Sequence, residues 1–148
     1  MVKNLVDYIG KLNEHNEYLK MLDILEKKCD YIGITYYHEI VKKFEKDIIK
    51  HDKSFSWWGI ETSLLTDLYY IKASKELFEF LKSYETFCKY IFGDYEKRTA
   101  DVVKLTSFGP SDIAFFDKDN NILLRTNTHE GFVYVSQDVD KTYNEKTY

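Results

Sequence analysis

The triplet His129-Glu130-Gly131 combines an imidazole, a carboxylate and a glycine, the parts of an acid–base pair beside a turn. Thr126, Asn127 and Thr128 precede it, so small polar groups gather at one hairpin end. Adjacent residues on a strand point to opposite faces, and His129 and Glu130 would not converge on their own. A plain polar turn accounts for the same residues, and His129 and Glu130 stand as a candidate polar site.

Other spacings fall short of chemistry. Asp117, Asp119 and Asn121 open like a calcium loop, but Ile122 stands where the sharp turn needs Gly and Thr128 where a bidentate Glu is needed. His38-Glu39 lacks a second His four residues on, where Lys42 stands instead, so no zinc-protease helix forms. His15 and His51 add no partner at helical spacing. Gly10, Gly33, Gly59, Gly93, Gly109 and Gly131 are scattered, without the spacing of a phosphate loop, and no Gly-x-Ser-x-Gly occurs. Cys29 and Cys88 lie far apart with no activating motif. No catalytic residue, metal ligand set or cofactor is expected.

Aromatic residues make up 17% of the chain, with 13 Tyr, 10 Phe and 2 Trp. The doublets Tyr36-Tyr37, Trp57-Trp58, Tyr69-Tyr70 and Phe115-Phe116 send successive rings in different directions, whether on a strand or a helix. With one sheet face covered by helices, the partner rings would lie on the other face. Exposed Tyr and Trp anchor protein interfaces, giving large area at small entropy cost. Trp57, Trp58, Tyr69, Tyr70 and the nearby Glu61 are therefore the candidate protein-binding residues. Glu61 and Asp67 near two indoles also echo the acid pair of glycoside chemistry, without a cleft signature to support it.

Several elements must hold these residues. Residues 2–29 read as helix, with Val2, Leu5, Ile9 and Leu12 and then Tyr18, Leu22, Leu25 and Cys29 on one stripe, broken near Asn13 and Asn16. Residues 31–34 form a connector or a short buried strand. A second helix spans about 36–50 on Tyr37, Ile40, Val41, Phe44 and Ile48, and 51–54 ends it. Residues 55–67 fit strand, helix or loop, and 68–73 reads as a strand. Ser74 caps a helix running to Phe92, with Gly93 just past its end. Strands follow at 102–105, 112–116, 121–126 and 132–135, joined by turns.

One Pro and six Gly in 148 residues argue against joined domains. The expectation is one α+β domain over 1–137, with a helical N-terminal half packed on one face of a four- or five-stranded antiparallel sheet. Residues 138–148 read as a polar, frayed tail. No apolar run nears the ~18 residues of a membrane span, and the first residues lack a signal-peptide core. A cytoplasmic chain with reduced cysteines is expected.

Net charge is −4, balanced over 1–53, −1 over 54–98 and −3 over 99–148. Excess acid repels phosphate backbones and favours a basic partner. The expected function is a small acidic inhibitor, of immunity or anti-defence type, that occludes a toxin or nuclease by protein contact. The competing readings are a ligand-binding domain or enzyme with its pocket between helices and sheet, and a homo-oligomeric structural module. No membrane or direct nucleic-acid contact is expected, and a homodimer would use the same exposed rings.

Overall fold

The computed structural model describes residues 4–90 and 108–145. Its frame is one seven-stranded antiparallel sheet. The strands are β1 (Val6–Asp7), β2 (Tyr31–Thr35), β3 (Ile48–Trp57), β4 (Ile60–Lys72), β5 (Ile113–Phe116), β6 (Ile122–Asn127) and β7 (Phe132–Val135). Their order across the sheet is β1-β7-β6-β5-β2-β4-β3. Among the described residues four helices accompany it: α1 (His15–Lys28), α2 (Glu39–Lys43), α3 (Lys75–Leu81) and α4 (Gln137–Tyr143). All four contribute buried side chains to one core against one sheet face, among them Leu22 and Leu25, Ile40 and Val41, Leu77 and Phe78, and Val139. Ile32, Ile34, Ile71, Phe115 and Val135 meet them from the strands.

The expected helical N-terminal half on a four- or five-stranded sheet is thus corrected. Strands at both edges were hidden from periodicity. Val6 and Asp7 pair with Val135 and Tyr134, so these two residues are strand, and the first described helix begins at His15. The second expected helix is five residues long, followed by a 3-10 turn at Glu45–Asp47, and from Ile48 the chain is strand. Lys50-His51-Asp52-Lys53-Ser54 carries no apolar pattern because β3 is the sheet's edge. Its backbone pairs with β4, Lys50 opposite Tyr70 and Ser54 opposite Thr66, and those hydrogen bonds require no buried side chains.

The third helix has the expected cap, Ser74 Oγ accepting from Leu77 N at 3.1 Å, but stops at Leu81. Ser83 Oγ donates to Phe80 O at 2.6 Å and closes the last turn. Tyr84, Phe87 and Cys88 remain buried beyond it, so the apolar stripe reports burial rather than helix. The expected end at Phe92 and Gly93 and the expected strand at 102–105 lie outside the described residues. The polar tail is corrected as well. Ser136 caps α4 through Val139 N at 3.1 Å, and Val139 and Tyr143, four residues apart, are buried. Two apolar residues are too few to register as a period. Tyr8 Oη donates to Asp140 Oδ1 at 2.6 Å, which ties α4 to the first strand.

Candidate functional site

On the sheet face away from the helices lies a second, smaller apolar cluster: Ala114, Phe116 and Ile122 buried, with Tyr31, Trp58 and Tyr70 packed on it. Strand parity puts them there. Gly33 of β2 stands between Tyr70 of β4 and Ala114 of β5. A residue with no side chain beside one with a single methyl leaves a slot in the outer face.

The β3–β4 hairpin fills that slot with its own tip. Past the pair Ser54–Thr66 the register slips, and pairing resumes at Ser56–Glu61. One residue of β3 and four of β4 are skipped, which bends the ladder sharply. Side-chain hydroxyls hold the bend: Ser54 Oγ accepts from Ser56 N at 3.1 Å, and Thr66 Oγ1 donates to Leu64 O at 3.2 Å. Trp58 and Gly59 then form the hairpin turn with φ of 48° and 93°. Positive φ at both central residues is the twist a two-residue hairpin prefers, but the first position ordinarily takes Asn, Asp or Gly. A bulky indole there costs on the order of 1–3 kcal/mol, which its packing must offset. The packing is close. A Cβ on Gly33 would stand 2.5 Å from Trp58 Cζ2 and 3.0 Å from Tyr70 Cε1. The Trp58 ring also meets Phe116 edge-on at 6.1 Å.

Trp57 is fixed differently. It is 8% exposed, and its Nε1 donates to Asp112 Oδ2 at 2.9 Å. The other Asp112 oxygen, Oδ1, accepts from Thr128 N at 2.7 Å. Asp112 N donates to Thr35 Oγ1 at 2.9 Å, and Thr126 Oγ1 lies 3.0 Å from Thr128 Oγ1. Burial pushes the Asp112 carboxyl upward, opposed by its hydrogen bonds from Thr128 and Trp57 and by the Arg125 charge. The Arg125 guanidinium lies 4.4 Å over the Tyr134 ring, and its buried Nε has no hydrogen-bond partner among the described residues. This polar knot joins β2, β5, β6 and the hairpin tip.

The candidate residues therefore separate. Trp58 and Tyr70 meet on the outer face. Glu61 is exposed beside the turn and lines, with Asp52, Lys53 and Trp58, a groove of ≈ 620 Å³ between hairpin tip and sheet. Trp57 is buried and unavailable as an anchor. Tyr69 faces the helix side, stacked on His51 at 4.2 Å, while His51 Nε2 lies 2.9 Å from Asp67 Oδ1. His129 is exposed and Glu130 half-buried on the β6–β7 turn, which Gly131 N closes onto Thr128 O at 3.1 Å with φ of 76°. The small polar groups beside that triplet do converge, but on residues 112 and 113 instead of on His129: Thr128 N donates to Asp112 Oδ1 at 2.7 Å and Thr126 Oγ1 accepts from Ile113 N at 3.1 Å. Asp117, of the calcium-like spacing, uses Oδ1 to accept from Asp119 N and Asn121 N, both at 2.9 Å, as a turn does. Among the described residues no three His, Cys, Asp or Glu side chains gather to hold a metal ion.

Sequence reasoning missed Gly33, Asp112, Phe55, Leu64 and Leu65. Phe55, Leu64 and Leu65 are 56%, 69% and 55% exposed. The one signal available was the pair Leu64-Leu65 within an otherwise polar stretch.

Fold and site define an α+β protein whose edge hairpin folds back over the open face of its own antiparallel sheet. No known family, curated protein or solved structure matches the chain. Among the described residues no helix is long and apolar enough to cross a membrane.

Proposed function

We propose that this chain acts by binding another protein and occluding its working surface, as an inhibitor or immunity protein does. The observation that carries the reading is where apolar surface is left open. Six large apolar side chains are exposed among the described residues, and four of them, Ile49, Phe55, Leu64 and Leu65, lie on the β3–β4 hairpin. Phe55, Leu64 and Leu65 all fall within the register slip, so three apolar side chains crowd one bend. Single exposed apolar residues are ordinary, but several at one bend of an edge hairpin signal a contact surface. Burial against a partner would return about 25 cal/mol per Å² of that surface.

The bend itself supplies apolar contact, and the charge of the chain supplies steering. Net −4, with the excess in the C-terminal part, draws a basic partner at long range. This reading carries with it a cytoplasmic location, where the target would be met.

The test is a photo-crosslinking residue at position 64, with one at Lys27 as control. A discrete adduct from 64 alone is expected, and the captured protein, once purified, should lose its activity on adding the chain at equal concentration. The Leu64→Asp, Leu65→Asp double variant should fold normally and fail to inhibit. Equal adducts from both positions, or capture without loss of activity, would overturn the reading. Adducts between two copies of the chain, with dimer mass by sedimentation, would favour the oligomeric module instead.

A further inference from the structure

The outer face holds a second groove, of ≈ 440 Å³, on the other side of Trp58 and Tyr70. Its walls are aromatic. Tyr31 and Phe116 stack at 4.7 Å and 7° between planes, and Tyr70 stands edge-on to Tyr31 at 5.9 Å. The bulge between Ile48 and Lys50 thrusts Ile49 outward over the opening, where it is 57% exposed. The volume is within the range of small-molecule sites, and flat walls suit a flat ligand.

Charge selects the ligand further. The two grooves differ in sign although they share Trp58 and Tyr70. The larger one is bordered by the carboxylates of Asp52 and Glu61 against Lys53 alone. Among the described residues the aromatic groove has no carboxylate in its lining, and Lys50 is the one charged residue there. The Lys50 ammonium lies 5.6 Å from the Tyr70 ring centre and pairs with Asp52 Oδ2 at 3.2 Å, and its side chain is 63% exposed. Asn120 lines the same groove, and its Oδ1 is engaged by Tyr31 Oη at 2.9 Å, which leaves the amide nitrogen as donor. Four rings are also the number that cages a quaternary ammonium, but Lys50 already supplies a cation and repels a second.

We propose that this groove binds a small flat aromatic molecule bearing one anionic group, its ring held among Tyr31, Tyr70, Phe116 and Trp58 and its anion by Lys50 and Asn120. The strained turn at Trp58 fits this role, because the hairpin places an indole as the wall that both grooves share. The site goes beyond the protein-binding surface proposed above and does not use Phe55, Leu64 or Leu65.

The experiment is titration of ¹⁵N-labelled protein with 2-naphthoate, with uncharged 2-naphthamide in parallel. The chain has two indole N–H resonances, and Trp57, bonded to Asp112, serves as the internal control. Saturable shifts of Trp58 and Tyr70 are expected for naphthoate with Kd on the order of 1 mM, the range for a ligand this small. The amide should bind about tenfold more weakly, and Lys50→Gln should remove that difference without changing the fold. Absence of saturable shifts, equal binding of both probes, or an unaltered preference in Lys50→Gln would overturn the proposal. The Leu64→Asp, Leu65→Asp variant should bind naphthoate as the parent does, which keeps failure here separate from failure of the protein-binding reading.

Discussion

The Trp57 indole N–H and the Asp112 carboxylate meet at 2.9 Å across 55 residues of sequence, and both are buried. This bond pins the tip of the edge hairpin to the start of β5. Breaking it from either side leaves a buried polar group without its partner, at about 1–3 kcal/mol each. Trp57→Phe and Asp112→Ala should both destabilise, Asp112→Ala more, because Thr128 N also loses its acceptor. In urea unfolding, the double variant should fall short of the summed losses by about 1 kcal/mol or more. Additive losses would show that the bond contributes nothing specific.

The same carboxylate makes stability depend on pH. Asp112 is held above its ordinary value of 3.8, chiefly by burial. Between the unfolded and folded values the native state therefore binds more protons than the unfolded chain. Stability contributed by this group is present below 3.8 and is lost as pH rises through the folded value. The parent should lose stability relative to Asp112→Asn as pH rises across that window, with no relative change on either side. A parent that gains on the variant as pH rises would reverse the assignment.

Gly33 admits no side chain while Trp58 lies over it. Gly33→Ala should force the indole away from a Cβ 2.5 Å from Cζ2. Overpacking of this kind costs about 1–3 kcal/mol. The loss should appear as lowered unfolding midpoint together with a red-shifted Trp58 emission, measured in a Trp57→Phe background. Unchanged emission would mean that the neighbouring rings yield instead.

Burial pushes the Cys29 thiol up to about 12, and its Sγ donates to Tyr31 O at 3.3 Å. Cys88 is buried and raised further. At pH 8 Cys29 should react with an aromatic disulfide about 1,000-fold more slowly in native protein than in urea, following its smaller thiolate fraction. Comparable native and denatured rates would place the thiol in solvent.

Much of the local structure was legible. Ser74 announces the start of α3, the Tyr18-Leu22-Leu25 stripe lies on α1, and the polar runs at 117–120 and 129–131 are turns. Capping and short-range burial act within a few residues, so their traces survive in sequence. The aromatic doublets were legible in part. Tyr69 faces the helix side and Tyr70 the outer face, as strand parity requires. Trp57 and Trp58 escape that rule because they close a hairpin whose ladder has already bent.

By itself the sequence determined the alternation of faces along the strands, the Ser74 cap of α3, and the supply of aromatic and acidic side chains. The tertiary structure alone decided that Lys50-His51-Asp52-Lys53 is strand, that Trp57 is buried, and that Phe55, Leu64 and Leu65 are not. Edge pairing, the slot at Gly33 and the acceptor at Asp112 each depend on a residue remote in the chain. Such contacts form only once distant strands have met, and no short window of residues carries their record.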